Sequence, residues 1–209
     1  MHTIFITGIG TGIGKTLVSA ILTEALQADY WKPVQAGFDD GTDALSVKSL
    51  ISNPVSVIHD EVYKLRLPVS PHIAAAEEGS RINLQKIADS KPQTSNNLVV
   101  EGAGGIMVPL NENEFVIDLI KKLDASVLLV SRNYLGSINH SLLTAAICRQ
   151  HGLKVCGWIF NDQYMQYENE IAGWSGYPWL ASIPKAAKID KDFVLQQAHA
   201  VKTNLLNVL

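Results

Sequence analysis

Residues 3–16 constrain this chain more than any other stretch. They read Thr3-Ile-Phe-Ile-Thr-Gly8-Ile-Gly10-Thr11-Gly12-Ile-Gly14-Lys15-Thr16. Ile4, Phe5 and Ile6 form a short apolar run suited to a buried parallel strand. Gly8, Gly10, Gly12 and Gly14 follow at alternate positions, and Lys15-Thr16 then opens an apolar-periodic stretch (Leu17, Val18, Ala20, Ile21, Leu22, Ala25, Leu26) that predicts a helix packed on a sheet. Strand, glycine turn, Gly-Lys-Thr and helix are the context of a phosphate-binding loop. Glycines let successive backbone N–H groups curl around an anion, and the helix N-terminus adds its partial positive charge. Lys15 can reach the outer phosphates, and the Thr16 hydroxyl suits a magnesium ion. An ordinary glycine-rich turn is the competing reading, since five residues rather than the usual four separate Gly8 from Gly14.

Composition narrows the class. With 209 residues, 47% of them hydrophobic and 18% charged, the chain is an ordinary globular α/β candidate. Its net charge of −3 leaves no basic field for nucleic acid or an anionic membrane surface. No apolar run approaches a membrane span, and the sequence opens on a strand rather than on a signal or transit pattern. Cys148 and Cys156 match neither a CxxC nor a zinc spacing, so two reduced thiols in a cytoplasmic protein are expected.

Along the chain, strands alternate with helices. The first helix is expected to end near Ala28, and residues 30–36 are read as one strand with Pro33 near its end. Thr42 caps a helix over 44–51. An extended piece surrounds Val62-Tyr63. Ser70-Pro71 starts a helix that Gly79 stops, and Asn83 caps the next through Ala88. Strands are expected at 97–101, 126–130, 155–160 and 179–183. Helices are expected at 115–123, from a Ser137 cap to about Gln150, and at 191–205. Residues 163–176 give no firm assignment. The pattern predicts a single domain over 1–209: a mostly parallel sheet with helices on both faces, of the P-loop nucleotide-hydrolase type. Ligands of such sheets gather beyond the carboxyl ends of the strands. The positions of interest are therefore 8–16, 32–37, 101–105, 131–139 and 161–162.

Chemistry-bearing side chains stand at several of those ends. Glu101 closes a buried strand and meets Gly102-Ala103-Gly104-Gly105. Magnesium takes oxygen ligands and keeps several waters, so one or two carboxylates with Thr16 suffice; Asp43 is the second candidate. Lys32, inside an apolar strand, could neutralise charge that develops in phosphoryl transfer, or could simply snorkel at a sheet edge. His72 and His140 sit in first helical turns, where local hydrogen bonding is the ordinary role.

Taken together, Thr7-Gly8 through Lys15-Thr16, Lys32-Pro33-Val34, Thr42-Asp43-Ala44, Ser70-Pro71-His72, Glu101 through Gly105, Leu135 through His140 and Gly157 through Asp162 resemble the dethiobiotin synthetase family. The resemblance covers most of residues 1–162, and the longer phosphate loop is a feature of that family. It implies an ATP- and magnesium-dependent cyclo-ligase acting on 7,8-diaminononanoate and CO2 or bicarbonate. Lys15 and Lys32 would flank the transferring phosphoryl group, and Thr16, Asp43 and Glu101 would hold magnesium. The nucleotide would lie against Gly12, Ile13, Gly14, Lys15, Thr16 and Leu17, with Gly102, Ala103 and Gly104 near its phosphates. Asn161 would read the adenine edge, beside Asp162 and the loop Pro184-Lys185-Ala186. Thr11, Lys32 and Ala36 would face the substrate, and Ser137 and Asn139 would reach its carboxylate tail from a second protomer, which implies a homodimer. The chain departs from the family in three places. Ala36 stands where a serine or threonine is usual, Gly12 where an acidic residue is common, and Lys185-Ala186 where large apolar residues often follow Ile183-Pro184.

Two other functions fit a phosphate loop. A nucleotide switch of the partitioning or positioning type would carry an extra lysine early in the loop, and Gly8-Ile9-Gly10 has none. A degenerate binding module would not be expected to keep Lys15, Thr16, Lys32, Asp43 and Glu101 together.

Overall fold

A computed structural model describes residues 1–162 and 165–209. Seven parallel strands form one sheet in the order β4-β2-β6-β1-β7-β8-β9. These are β1 (Thr3–Gly8), β2 (Asp29–Trp31), β4 (Ile58–His59), β6 (Leu98–Glu101), β7 (Ser126–Arg132), β8 (Val155–Asn161) and β9 (Trp179–Ile183). β3 (Val34–Ala36) and β5 (Tyr63–Leu65) pair in a separate two-stranded sheet. The central strands are apolar on both faces because helices cover both. Phe5, Val100, Leu129 and Phe160 face one cluster with α3 (Pro71–Glu77), α4 (Leu84–Asp89), α5 (Val116–Lys122), α6 (Ser137–Gln150) and α7 (Glu168–Ser175). Ile4, Ile6, Val99 and Val130 face the other with α1 (Lys15–Leu26), α2 (Asp43–Leu50) and α8 (Lys191–Leu206). Among the described residues, no helix is long and apolar enough to cross a membrane.

The expected elements are present, with three corrections that bear on the site. Residues 30–36 are not one strand. Pro33 has no N–H to give a ladder, so the chain leaves the main sheet at Lys32 and resumes as β3 beside β5. The break turns Lys32 inward instead of leaving it on a strand edge. Ser137 does not cap α6. Gly136, at φ 104°, takes the cap position, and the Ser137 Oγ accepts from the Tyr134 N–H at 3.2 Å. Ser70 opens α3 without a side-chain cap; its Oγ meets the His72 Nδ1 at 3.0 Å. Thr42 and Asn83 do cap α2 and α4, accepting from Leu45 N at 3.2 Å and Lys86 N at 3.0 Å. Within residues 163–176, α7 occupies 168–175, while Gln163 and Tyr164 lie outside the described residues.

The topology brings two strand ends together. β1 sits between β6 and β7, with Ile6 opposite both Glu101 and Leu128. The glycine loop after β1 and the carboxylate ending β6 are therefore neighbours, 85 residues apart in sequence at the Thr16–Glu101 contact. The far side of the sheet depends on Gly157. The β7–β8 register shifts there, Gly157 has φ 149°, and a Cβ would stand 2.5 Å from the Pro178 carbonyl oxygen. Gly157→Ala is expected to lower stability by roughly 2–4 kcal/mol, because a strained backbone and a clash with a neighbouring carbonyl add. Urea unfolding checks it as a lower midpoint at unchanged slope.

Candidate active site

The loop after β1 is held in shape from β8. Gly14 has φ 92°, and a Cβ there would fall 1.6 Å from the Asn161 Nδ2. That amide donates to the Ile13 carbonyl at 3.1 Å. Only glycine gives both the left-handed turn and room for this brace. Lys15 begins α1 and folds back, its Nζ donating to the Gly10 carbonyl at 2.6 Å. Burial pushes the Lys15 ammonium down to about 8, more than Glu101 and Asp43 lift it, and the nearby Lys32 charge pushes the same way as burial.

Beyond the loop, two lysines and two carboxylates meet. Lys32 is 4% exposed. Its Nζ donates to the Glu101 Oε1 at 3.0 Å and pairs with the Asp43 carboxylate. Burial alone would lower the Lys32 pKa, but the charges of Glu101 and Asp43 outweigh it and hold the ammonium protonated. Asp43 shows the converse: burial would raise its carboxyl, and the pairing with Lys32 and a hydrogen bond from Thr16 bring it below the usual range. The Thr16 Oγ1 lies 2.9 Å from Asp43 Oδ1 and 3.0 Å from Glu101 Oε1. One hydroxyl proton cannot serve both acceptors at once. Three hard oxygen donors thus converge beside the phosphate loop, which is the donor chemistry of a magnesium site that keeps waters and phosphate oxygens as its remaining ligands.

These groups line one cleft of about 700 Å³ at the carboxyl end of the sheet. Of the residues expected to act here, Thr11, Gly12, Gly14, Lys15, Thr16, Lys32, Ala36, Asp43, Glu101, Ala103 and Gly104 are in its wall. Ile13, Leu17, Gly102, Asn161 and Asp162 stand behind or beside it. The Asp162 carboxylate pairs with the Arg132 Nε at 2.6 Å, tying the ends of β7 and β8 together. Pro184, Lys185 and Ala186 follow β9, whose Ile183 pairs with Asn161. Ser137 and Asn139 are not in this wall: Ser137 is buried against the Tyr167 hydroxyl at 2.7 Å, and Asn139 is exposed.

Sequence reasoning missed several wall and support residues. Pro68, Val69, Pro71 and Val108 form an apolar side of the cleft, with Ser70 among them. All but Pro71, the first residue of α3, come from connecting segments, and the only signal there was the Ser70-Pro71 helix start. Gln35 also lines the cleft, donating to the Gly37 carbonyl at 2.7 Å and accepting from Asp43 N–H at 3.2 Å. Its amide is thus engaged with the backbone that carries Asp43. Tyr30, from β2, donates to the Glu101 Oε2 at 2.9 Å.

A parallel sheet with the phosphate loop after its central strand, a lysine at the end of that loop and a carboxylate at the adjacent strand end define a P-loop nucleotide-binding α/β protein. The comparisons agree. A family described as "AAA domain" matches residues 2–192. The MinD cell division protein of Aquifex aeolicus superposes with a TM-score of 0.60 over 99% of this chain and 96% of that chain, at 16% identity, a likeness of fold alone. Two curated relatives are far more similar in sequence. The ATP-dependent dethiobiotin synthetase BioD of Cytophaga hutchinsonii is 49% identical over 97% of both chains. The protein of the same name in Christiangramia forsetii is 43% identical over 98% of both. The chain belongs to the dethiobiotin synthetase family.

The low Lys15 pKa has a consequence for nucleotide binding. A phosphate chain favours the charged ammonium, so binding raises this pKa. Affinity for a non-hydrolysable ATP analogue is expected to be constant below about pH 8 and to fall above it, with proton uptake on binding in that range. Calorimetry in buffers of different ionisation enthalpy at pH 7 and 9 measures that uptake. Equal uptake at both would show Lys15 fully protonated in the free protein.

Proposed function

We propose that this protein is an ATP-dependent dethiobiotin synthetase, closing the ureido ring of dethiobiotin from 7,8-diaminononanoate and CO2. The observation that carries the reading is the Lys32–Asp43–Glu101–Thr16 cluster beside the phosphate loop, in a chain 49% identical to a relative of that name. The whole chain, 1–209, acts as one domain on this reading, in the cytoplasm. The two free, buried cysteines suit that setting, Cys148 being pushed up to about 12 by burial.

The reaction asks for positioning and charge stabilisation, with no covalent nucleophile from the protein. One amine of the substrate adds to CO2 and loses a proton, giving a carbamate. A carbamate oxygen attacks the γ-phosphorus of ATP, and the bond to the β-phosphate oxygen breaks, releasing ADP. The second amine attacks the carbonyl carbon of the mixed anhydride. The ring closes, phosphate leaves with the bonding electrons, and the attacking nitrogen loses its proton. Lys15 and Lys32 hold positive charge on either side of the transferring group. Thr16, Asp43 and Glu101 would hold magnesium, which supplies charge neutralisation on the phosphate oxygens when bound. The amides of Gly12 to Gly14 and of Gly102 to Gly104 complete the cradle. Thr11 and Ala36 flank the substrate end, where the apolar wall of Pro68, Val69, Pro71 and Val108 suits an alkyl chain better than a phosphate. Asn161, Asp162, Pro184, Lys185 and Ala186 form the base end.

A homodimer belongs to the same reading. Ser137 and Asn139 lie outside their own chain's cleft, at the start of a 14-residue helix whose N-terminus favours an anion. Leu135, 94% exposed, stands in the same turn. These features suit a substrate carboxylate held across a subunit boundary. The switch-ATPase reading rests only on fold likeness at 16% identity or below and has no loop lysine to support it.

ADP release with magnesium, ATP and bicarbonate is expected to rise strongly on adding 7,8-diaminononanoate, with dethiobiotin detected by mass. A slow rate indifferent to the diamine would sink the ligase reading. Lys32→Ala is expected to cut kcat by about 100-fold or more while nucleotide affinity changes far less, since its charge matters most where charge develops. Equal losses in kcat and affinity would place Lys32 in ground-state binding instead.

A further inference from the structure

Tyr30 lies outside the cleft wall and touches no position that a substrate could occupy, yet it reaches the site through Glu101. It is fully buried on β2, opposite Val99 of β6. Glu101 stands two residues beyond Val99, on the same face of the sheet. Two residues of strand span about 6.6 Å, close to the reach of a tyrosine from its Cα to its hydroxyl. The phenol ends at the carboxylate, with its hydroxyl 2.9 Å from Oε2. Oε1, the other oxygen, faces Thr16 and Lys32.

We propose that Tyr30 is a positioning residue for Glu101: by taking Oε2 it fixes the plane of the carboxylate and presents Oε1 to the cation and lysine side of the cleft. The inference rests on the reading of Glu101 as a magnesium ligand. The terminal torsion of a glutamate is broad and roughly two-fold, so a buried carboxylate with one free oxygen can rotate unless a donor holds it. Tyr30 is that donor. A phenol has one proton to give, and here it goes to Oε2. Removing the hydroxyl leaves the ring packed on α1 and β6, but leaves Oε2 buried without its donor.

The experiment is Tyr30→Phe, read first by metal binding. Free Mn2+ is followed by electron paramagnetic resonance during titration of protein with a non-hydrolysable ATP analogue. Mn2+ affinity is expected to fall by about tenfold, the scale of one lost hydrogen bond to a charged group. The kcat of ADP release should fall by at least as much, with the ATP KM changed by less than about twofold. Ser175→Ala is the control. It removes a buried hydrogen bond of 2.9 Å from the Trp158 Nε1, on a helix with no residue in the cleft. It should lower the melting temperature comparably and leave Mn2+ affinity unchanged. In a Glu101→Gln background, adding Tyr30→Phe should bring little further loss, because the two act through one contact. Unchanged Mn2+ affinity in Tyr30→Phe, or equal losses in Tyr30→Phe and Ser175→Ala, would overturn the proposal and leave the ligase reading standing. Absence of diamine-stimulated turnover in the unaltered protein would overturn the ligase reading, while the Mn2+ titration would still decide the role of Tyr30. No Mn2+ uptake by the unaltered protein would overturn both.

Discussion

A buried ammonium held between two carboxylates is the constraint on which the rest of the site depends. Lys32 is almost without solvent, and an unpaired charge there would cost several kcal/mol, on the order of the domain's whole stability. It is tolerable because Asp43 and Glu101 both reach it. The dependence runs the other way too. Glu101 is as deeply buried as Lys32, and its charge needs the ammonium, the Thr16 hydroxyl and the Tyr30 phenol. With Lys15, the cluster holds two positive and two negative groups, so it is formally neutral before any ligand arrives. On the proposed reading, a nucleotide enters with a divalent cation that offsets part of its negative charge.

The backbone around Lys32 follows from that need. A continuous strand would direct alternate side chains to opposite faces and keep its lysine in the ladder. Pro33 ends pairing with the main sheet, and β3 departs to pair with β5. Residues 35–43 then curve back over the carboxyl edge of the sheet. Gln35 spans that curve, bonding Gly37 at one end and Asp43 at the other. Thr42 caps α2 with Asp43 as its first residue, which also places a carboxylate where the helix N-terminus favours one. The irregular region between β2 and α2 is thus the part of the chain that sets the second carboxylate.

That division explains what could be read from the sequence. The glycine loop, its lysine and threonine, and Glu101 were legible because each is tied to a regular element: the end of an apolar strand or the start of a periodic helix. The parallel sheet followed from strand–helix alternation. The elements that escaped are those fixed by tertiary contact. Splitting residues 30–36 required weighing Pro33 against a run of apolar neighbours. β4 is a two-residue edge strand without a periodicity to detect. Pro68, Val69 and Val108 enter the cleft from connecting segments, and Pro71 from the first residue of α3, where local pattern carries no information about which side a residue faces. Tyr30 looked like any core aromatic, since its hydroxyl partner lies 71 positions away. Ser137 looked like a cap because serine before an apolar stretch usually is one, but Gly136 in a left-handed conformation had already taken that role.

The same fold occurs in MinD at 16% identity, so the fold alone does not decide the function. The deciding features lie at the phosphoryl end of the cleft. A switch needs a water, a cation and a surface that senses the γ-phosphate. It has no use for a buried lysine clamped by both carboxylates, because that lysine is shielded from any partner protein. Nor has it use for an apolar wall in the same cleft. Both are explained if a second small molecule lies between them, with its anionic reacting end against Lys32 and its alkyl chain along Pro68, Val69, Pro71 and Val108. On the proposed reading, the cleft is two half-sites that meet at the Lys32 cluster. Backbone amides of the two glycine segments share, on that reading, in holding the nucleotide with Lys15 and Thr16, and the co-substrate is held mainly by side chains. The departure at Ala36 then falls on the co-substrate side of the proposed site, whereas those at Gly12 and at Lys185-Ala186 fall on the nucleotide side.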